Sequence, residues 1–329
     1  MTAPCRRTLR GAAVQPLLFL ALVLLLQAGL RGAEAAPAPS RLRVATYNLE
    51  NYTSTGRMTG DGYKLDYPKP EEAKRALHEV ILSLRADLLV LQELGGAGHL
   101  EELRRDLEAL GCRYPHAAVL EAADRERKLG ALSLHPFLRQ VAHAKVEFPY
   151  LSGTGVSKRG LLELVLQTAA GELTVWGVHL KSRFATGTQD PDSGILRGAE
   201  ATALRDLVLA RHKDTANELF LIVGDFNDTK KSRPLRAFQA RGKTPLAVLL
   251  EAGDQRGERW THYYRQTDAY DRVDHVLASA ALLQRLLPSG VGAAYPVRIA
   301  DGPATARASD HRPLVVELDL SPVSAKQIN

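Results

Sequence analysis

Cysteine is scarce in this chain, since 329 residues include only Cys5 and Cys112. Cys5 falls in an N-terminal segment that we expect to be removed, which leaves Cys112 without a partner and excludes an internal disulfide in the mature chain. Burial of apolar side chains must then stabilise the core, and we expect Cys112 to be a small buried apolar residue rather than a nucleophile. Internal repeats, heptads and long low-complexity tracts are also absent from the sequence, which argues against a solenoid or a coiled coil.

The sequence also lacks an apolar run of the length that a membrane span needs. The run at residues 16–26 is short beside the ~20 apolar residues of a spanning helix. Three arginines precede it and Ala33-Glu34-Ala35 follows it. This order predicts a signal peptide at residues 1–35, cleaved near Ala35, and export to the periplasm or the extracellular space. An uncleaved N-terminal anchor is the alternative, and Arg6-Arg7 leaves Sec and twin-arginine export open. We expect no membrane span in the mature chain.

A strong excess of positive charge is missing as well. Removal of residues 1–35 takes away four arginines and one glutamate, which changes the formal net charge from +6 to +3. A dedicated nucleic-acid binder usually carries a stronger positive field. Charge alone therefore leaves the partner open between a polyanion, a phospholipid and a small molecule.

The organisation of the chain predicts one α/β domain. Residues 36–40 are a Pro/Ala linker, residues 41–320 show no composition break, and residues 321–329 are a polar tail. Pattern and turn residues predict the following strands: 42–47, 87–92, 129–134, 160–168, 173–179, 220–223, 273–278 and 314–318. Apolar spacing predicts helices beginning at Pro70, at His99 and at Leu196. Hairpin-like pairs mixed with helical crossovers favour an α/β sandwich over a simple doubly wound sheet.

Polar residues lie beside several of these apolar strands. Aspartate, glutamate, asparagine and histidine are costly to bury unpaired, so their recurrence at strand ends predicts one shared site. The strings are Tyr47-Asn48-Leu49-Glu50, Gln92-Glu93, His179-Leu180-Lys181, Gly224-Asp225-Phe226-Asn227, Asp274-His275 and Ser309-Asp310-His311.

Each string has a chemistry that suits it. His311 is a candidate general base, and Asp274 could accept a proton from its ring and fix its tautomer. Asp225 and Asn227 share one face in extended backbone and could orient a water molecule and a phosphoryl oxygen. The alternative is that this pair only forms an Asx turn after the strand and has no catalytic role. Glu93 is a hard oxygen ligand suited to Mg²⁺, to which Asn48 could add a carbonyl oxygen.

Basic and histidine side chains could hold a phosphate. His179 could donate a hydrogen bond to a phosphoryl oxygen as charge develops in the transition state. Lys181 and Arg183 could bind phosphate as a point charge and as a fork, and Arg159 is a second such contact. Solvated loop charges remain an equal alternative for these three residues.

Taken together, the strings resemble the endonuclease/exonuclease/phosphatase superfamily, which includes deoxyribonucleases, inositol polyphosphate phosphatases and neutral sphingomyelinases. The resemblance is to a secreted bacterial-type member and covers residues 41–320. It implies a four-layer α/β sandwich, with two packed mixed sheets flanked by helices. It also implies metal binding by Glu93, Asn48 and Asp310. The catalytic residues that it implies are His311, Asp274, Asp225, Asn227 and His179.

The implied activity is hydrolysis of a phosphoester with Mg²⁺, or with Mn²⁺ in its place, by water that His311 and Asp274 activate. We expect an exported nuclease or phosphodiesterase that works as a monomer on nucleic acid or another phosphoester, without a stable protein partner. A phosphatase or phospholipase C-type hydrolase of a lipid or small phosphoester is the first alternative. A catalytically inactive binding domain on the same fold is the second. The tracts 52–67 and 182–193 are predicted to form the rim that selects the substrate.

Overall fold

The computed structural model describes residues 38–184, 187–288 and 295–322. The predicted signal peptide, the start of the linker and residues 323–329 of the predicted tail lie outside this part of the chain. The described residues from Pro39 onward form one compact unit. None of the helices in the described ranges is long and apolar enough to cross a membrane.

The strands of the described chain follow one another with few intervening helices. Their bounds are β1 Arg41–Tyr52, β2 Thr55–Thr59, β3 Gly62–Tyr67, β4 Leu88–Leu94, β5 His116–Leu120, β6 Lys128–Ser133, β7 Phe137–His143, β8 Glu147–Tyr150, β9 Gly153–Val156, β10 Leu161–Thr168, β11 Gly171–His179, β12 Leu219–Asp225, β13 Ala240–Arg241, β14 Thr244–Pro245, β15 Val248–Leu249, β16 Ala252–Gly253, β17 His262–Tyr264, β18 Ala269–Asp271, β19 Asp274–Ala278, β20 Leu286–Leu287, β21 Val297–Ile299 and β22 Leu314–Asp319.

The helices are placed where the apolar stripe of each can cover a sheet. Their bounds are α1 Glu71–Leu84, α2 Ala97–Ala109, α3 Gly194–Arg211, α4 Arg233–Gln239, α5 Ala280–Leu283 and α6 Thr305–Ala308. The three long helices predicted from spacing are α1, α2 and α3. Their observed first residues differ from the predicted ones by one or two positions, because propensity marks helix ends only loosely.

Two large mixed sheets form the centre of the fold. Sheet I has eight strands in the order β16-β21-β22-β1-β4-β6-β5, with β20 also paired to β22. Sheet II has six strands in the order β15-β19-β12-β11-β10-β7. β1 runs parallel to β4, and β11 runs parallel to β12, while most other pairs are antiparallel. Ala169 and Ala170 connect the antiparallel strands β10 and β11, which correspond to the predicted strands 160–168 and 173–179.

Three apolar clusters separate the layers of the fold. The first contains Leu42 and Val44 of sheet I together with Leu162 and Val175 of sheet II, so the two sheets pack face to face. The second joins the other face of sheet I to α1 and α2, and the third joins the other face of sheet II to α3 and α4. The alternation within each strand places successive residues in different clusters. The predicted four-layer sandwich is therefore confirmed.

Cys112 packs at the edge of the second cluster, where it is partly buried and free. Burial raises the pKa of its thiol, which keeps the sulfur protonated and weakly nucleophilic. These properties agree with the expected packing role, although its burial is only partial.

At Gly224 in sheet II, both the backbone conformation and the adjacent strand demand glycine. Its φ is +140°, and a Cβ atom built there would lie 2.0 Å from the Val178 carbonyl oxygen of the adjacent strand. We expect Gly224→Ala to lower the free energy of unfolding by about 3 kcal/mol or more, because both the φ angle and the contact are unfavourable. Gly171→Ala is the matched control, since Gly171 has φ +111° and open space around it. Urea denaturation should show a clearly smaller loss, about 1–2 kcal/mol, for the control. Equal losses would contradict the clash.

Candidate active site

Three neighbouring strands of sheet II bring a row of polar residues together. The parallel register pairs His179 of β11 with Asp225 of β12, and the antiparallel register pairs Asp225 with Asp274 of β19. All three side chains are buried, at 1–2% exposure. Residues that are 46 or more positions apart in the sequence thus become lateral neighbours because strand pairing aligns them.

Sheet I supplies the facing half of the site. β1 and β4 run parallel, and the register pairs Asn48 with Gln92, so that Glu93 follows at the same end. The segment before β22 carries Asp310 and His311. Ser309 fastens this segment to β1, because its hydroxyl donates to the Asn48 carbonyl oxygen at 2.8 Å and accepts the His311 backbone N–H at 3.1 Å. Asn48 Nδ2 then reaches across to Asp225 Oδ2 at 3.0 Å and joins the two sheets.

We expect Ser309→Ala to loosen the segment that carries His311. The substitution leaves the buried Asn48 carbonyl and His311 N–H without these bonds, and an unmet buried group costs about 1–3 kcal/mol. Urea denaturation should show a loss of this size, together with a lower kcat. Ser83→Ala is a suitable control, because Ser83 bonds only within its own helix turn. A Ser309 variant as stable and as active as the wild type would contradict the fastening role.

His311 and Asp274 form a buried base and carboxylate pair. The His311 Nδ1 atom lies 2.8 Å from Asp274 Oδ2, which leaves Nε2 directed at the cleft, 4.0 Å from Asp225 Oδ2. Burial opposes the charged ring, but the charge and hydrogen bond of Asp274 outweigh it and raise the pKa of His311 well above its ordinary value. A carboxylate that makes the ring more basic and fixes its orientation is the arrangement a general base requires.

Asp225 is the central carboxylate of the site. Its Oδ1 accepts the Asn227 backbone N–H at 2.8 Å, and its Oδ2 accepts hydrogen bonds from the side-chain amides of Asn48 and Asn227 at 3.0 and 3.2 Å. Burial, and then the nearby charge of Asp274, raises the pKa of Asp225. The Asn227 amide also donates to the Leu180 carbonyl oxygen, which holds it beside Asp225. The bond from Asn227 N–H to Asp225 Oδ1 is that of an Asx turn, and the bonds of the Asn227 side-chain amide further fix the pair.

His179 faces the same carboxylate from the opposite side. Its Nε2 lies 3.6 Å from Asp225 Oδ2 and 4.0 Å from Glu93 Oε1. Burial, and then the charge of Arg159, lowers the pKa of His179 well below its ordinary value. A neutral ring can donate one hydrogen bond without bringing a formal charge into the site.

The residues present fit a divalent cation. Asn51 N–H donates to Glu93 Oε2 at 2.9 Å and orients the carboxylate, while the buried Asn51 Oδ1 lacks a hydrogen-bond partner in the described ranges. Burial, and then the charge of Asp310, raises the pKa of Glu50, with Glu93 adding to the effect. This concentration of negative charge on oxygen donors suits a hard cation such as Mg²⁺. Asn48 Oδ1 accepts the Glu50 N–H at 3.0 Å and keeps a second lone pair.

The backbone at the site is held in an uncommon conformation. Glu50, Asn51, Glu93 and Asn227 all have positive φ, between 46° and 57°. Each such non-glycine residue costs energy, so the conformation persists only where the surrounding structure imposes it. Such residues cluster at functional sites. This backbone conformation fixes the directions in which these four side chains leave the chain.

The three predicted phosphate contacts differ in their surroundings. Arg159 is buried, pairs with Asp124 at 3.0 Å, and has an Nη1 atom without a hydrogen-bond partner in the described chain. Burial and then the charges of Arg159 and Lys158 lower the pKa of Lys181, so positive charges converge there. Arg183 is instead half-exposed and bound to Asp271 at 2.6 Å, away from this convergence. The roles of all three remain predictions, and Arg183 would have to leave its ion pair to bind phosphate.

Four residues that sequence reasoning did not assign to the site contact its members. Lys69 is 3% exposed, and its Nζ donates to the Glu50 carbonyl oxygen at 3.1 Å. His262 places Nε2 3.6 Å from Asp310 Oδ2, and its ring lies 4.5 Å from that of His311. Thr261 Oγ1 accepts the backbone N–H of Asp274. The fourth residue is Glu50, which belongs to the Tyr47–Glu50 string. Its carboxylate, two residues after Asn48, is a feature of the sequence from which it can be predicted.

The predicted rim tract 52–67 forms a hairpin of β2 and β3. The hairpin begins beside the site, because Arg57 donates to the carbonyl oxygens of Asn51 and Thr53. It exposes large apolar side chains, with Met58 77%, Tyr63 62% and Leu65 81% accessible. Such a group is unusual on a surface that faces only water.

The sequence and the fold were both compared with those of known proteins. Residues 45–311 match the model of the Endonuclease/Exonuclease/phosphatase family. No curated protein matches the chain in sequence.

Several solved structures share the fold at low identity. The catalytic domain of human Nocturnin with bound sulfate is 16% identical with a TM-score of 0.56, over 86% of this chain and 95% of that one. Sphingomyelinase C from Streptomyces griseocarneus is 17% identical with a TM-score of 0.55, over 84% and 99%. A beta toxin mutant from Staphylococcus aureus with bound magnesium ions is 17% identical with a TM-score of 0.58, over 84% and 98%.

Proposed function

The chain belongs to the endonuclease/exonuclease/phosphatase family, and from that premise we propose that it is an exported, Mg²⁺-dependent phosphodiesterase that cleaves nucleic acid. One observation carries the proposal. His311 Nδ1 lies 2.8 Å from Asp274 Oδ2, and the Nε2 atom of the same ring lies 4.0 Å from Asp225 Oδ2. His179 Nε2 approaches the same Asp225 oxygen at 3.6 Å. A base, a water-orienting carboxylate and a neutral donor thus converge on one point.

The roles of the side chains follow from their positions. His311 accepts a proton from water at Nε2, while Asp274 stabilises the imidazolium that forms. Asp225 and Asn227 orient that water, and neutral His179 donates to the phosphoryl oxygen as negative charge develops. When bound at Glu93 and Asp310, Mg²⁺ would polarise the phosphoryl oxygen and support the leaving group. Mn²⁺ offers the same oxygen chemistry in its place.

The charges around the cleft support a polyanionic substrate. Burial lowers the pKa of Lys181, and the charges of Arg159, Lys158 and Arg197 lower it further, so several cations lie near this lysine. A phosphate between them would relieve their repulsion. The salt dependence of binding should therefore be steep if several phosphates are contacted.

A lipid phosphodiester is the second candidate, and the β2–β3 hairpin is the observation that favours it. Met58, Tyr63 and Leu65 present apolar surface beside the cleft, as an enzyme working at a lipid interface would require. One structural neighbour is a sphingomyelinase, at 17% identity. Both candidates share the hydrolytic residues and differ only in what the rim must bind.

A substrate panel distinguishes the candidates. Purified mature chain would be incubated with Mg²⁺ and, separately, with plasmid DNA, single-stranded DNA, RNA, sphingomyelin vesicles, inositol phosphates and a chromogenic phosphodiester. The proposal expects cleavage of a nucleic acid and of the chromogenic diester. Faster hydrolysis of sphingomyelin would favour the lipid candidate. Absence of hydrolysis from every substrate, with Mg²⁺ or Mn²⁺, would favour an inactive binding domain.

We also propose that the chain is exported as a monomer after cleavage near Ala35. The basic n-region, the short apolar run and Ala33-Glu34-Ala35 support this proposal. N-terminal sequencing of the exported protein should begin at Ala36, and light scattering should give the mass of one chain. A sequence that begins at Met1 would support an uncleaved anchor instead.

A further inference from the structure

A second group of candidate metal ligands shares Asp310 with the predicted magnesium ligands, but its other two members are histidines. One ring nitrogen each of His262 and His311 and a carboxylate oxygen of Asp310 all lie within 4.8 Å of one another. His262 Nε2 is 3.6 Å from Asp310 Oδ2, and His311 Nε2 is 4.0 Å from Asp310 Oδ1. Two imidazole nitrogens and one carboxylate form a set that differs from the oxygen ligands around Glu93.

The backbone holds these three residues together. His262 and His311 form an antiparallel β-bridge, and Tyr263 N–H donates to the Asp310 carbonyl oxygen at 3.0 Å. Arg312 N–H donates to the Thr261 carbonyl oxygen on the other side of the bridge at 2.6 Å. The two segments are therefore fixed to each other on both sides of the cluster. Its geometry is part of the fold and does not depend on long flexible side chains.

The hydrogen bonding of His311 prepares its Nε2 for a metal. The Nδ1 atom is committed to Asp274 at 2.8 Å, which leaves the Nε2 lone pair of the neutral ring free. Metal-bound histidines commonly have such a carboxylate behind them, because it orients the ring and strengthens its basicity. The group formed by Asp225, Asp274 and His311 is a poorer candidate. Asp274 already serves His311, and Asp225 already accepts hydrogen bonds from two asparagine side chains.

Ligand type selects the metal. Imidazole suits Zn²⁺ and other transition metals, whereas Mg²⁺ prefers oxygen. Two histidines and one carboxylate, with a fourth position open, are a common zinc ligand set. Zinc bonds of ~2.0–2.1 Å require the ligand atoms to approach within about 3.4 Å of one another. The side chains of His262 and Asp310 are 20% and 28% exposed, so rotation at the cleft surface allows this contraction.

We propose that His262, Asp310 and His311 form a Zn²⁺ site, which shares Asp310 with the magnesium ligands but does not include Glu93, and that zinc bound there inhibits the enzyme. Zinc bound at His311 Nε2 occupies the lone pair that accepts the proton of water, so the base cannot act. The binding follows from the geometry alone, whereas the inhibition rests on the proposed hydrolytic function.

The test measures zinc binding without using activity. Chelator-treated mature chain would be titrated with Zn²⁺ by calorimetry, and X-ray absorption would count the imidazoles on the bound ion. The proposal expects two imidazoles on zinc in the wild type and one in His262→Gln, with a zinc Kd at least ~10-fold higher in the variant. His116→Gln, on the far edge strand β5, is the matched control and should bind zinc as the wild type does. Circular dichroism would verify the fold of both variants.

A parallel assay measures the inhibition. The zinc concentration that halves Mg²⁺-dependent hydrolysis should rise by a similar factor in His262→Gln, with each protein normalised to its own zinc-free rate. Equal zinc affinities in the wild type and His262→Gln, or fewer than two imidazoles on zinc in the wild type, would overturn the site. If His262-dependent zinc binding is found but no phosphoester is hydrolysed, the metal site stands and the proposed function fails.

Discussion

Replacing His311 by alanine is expected to lower kcat by about 10²–10⁴-fold, the usual contribution of a positioned general base. The reason lies in the geometry, because His311 Nε2 is held in the cleft by the 2.8 Å contact of Nδ1 with Asp274. Without the ring, Asp274 remains buried but has no base to orient. KM should change much less than kcat, since the lost interaction belongs to the transition state.

Two further variants keep this experiment interpretable. His311→Gln retains much of the side-chain volume and can still donate to Asp274 but cannot act as a base, so it should be as inactive as the alanine variant. His116→Ala lies on β5 at the far edge of sheet I and should hydrolyse substrate at the wild-type rate. Circular dichroism and a thermal transition would establish that each variant folds. A folded His311 variant within about tenfold of the wild-type kcat would contradict the base assignment.

Replacing Glu93 by glutamine is expected to raise the Mg²⁺ concentration for half-maximal activity by about 10–100-fold, and to lower kcat at saturating metal by on the order of a hundredfold. Glutamine keeps the shape of the side chain and the oxygen that accepts the Asn51 N–H. It removes the negative charge, which is the property that holds a hard cation. The variant therefore separates metal binding from loop structure.

Glu101→Gln is the matched control for this titration. Glu101 lies on α2, where it is exposed and pairs with Arg104 one turn away. Its neutralisation should leave the magnesium curve unchanged, because the charge is solvated and distant from the cleft. A Glu93→Gln curve that overlays both the control and the wild type would show that another residue binds the metal.

Much of the fold could be predicted because its strands are unusually clear. The apolar runs at residues 88–91 and 220–223 are buried on both faces, so they are recognised without knowledge of their partners. The polar residues next to them predict one shared site, because burial makes isolated polar residues improbable there. The strand register makes His179, Asp225 and Asp274 neighbours. This pairing cannot be read from any one sequence segment, because it depends on which strands pair.

The supporting residues could not be found from the sequence, and the reason is physical. Lys69 precedes helix α1 in a stretch that reads as an ordinary charged loop, and only tertiary packing buries its Nζ against Glu50. His262 lies in a strand of three residues, too short for a periodic pattern, and its role depends on a bridge to His311. Arg183 is the opposite case: the sequence predicts it as a phosphate contact, but its guanidinium group is paired with Asp271. Side-chain pairing across long sequence separations is not encoded in local pattern.

Hydrolysis of a chromogenic phosphodiester by the wild type and by His311→Gln, each with Mg²⁺ and after chelation, tests the central claim most directly. The wild type should release product with Mg²⁺ and lose that activity on chelation, and the folded variant should stay at least about 10²-fold slower with Mg²⁺ present. Hydrolysis that persists after chelation, or that His311→Gln performs as well as the wild type, would contradict a metal-dependent site in which His311 is the base.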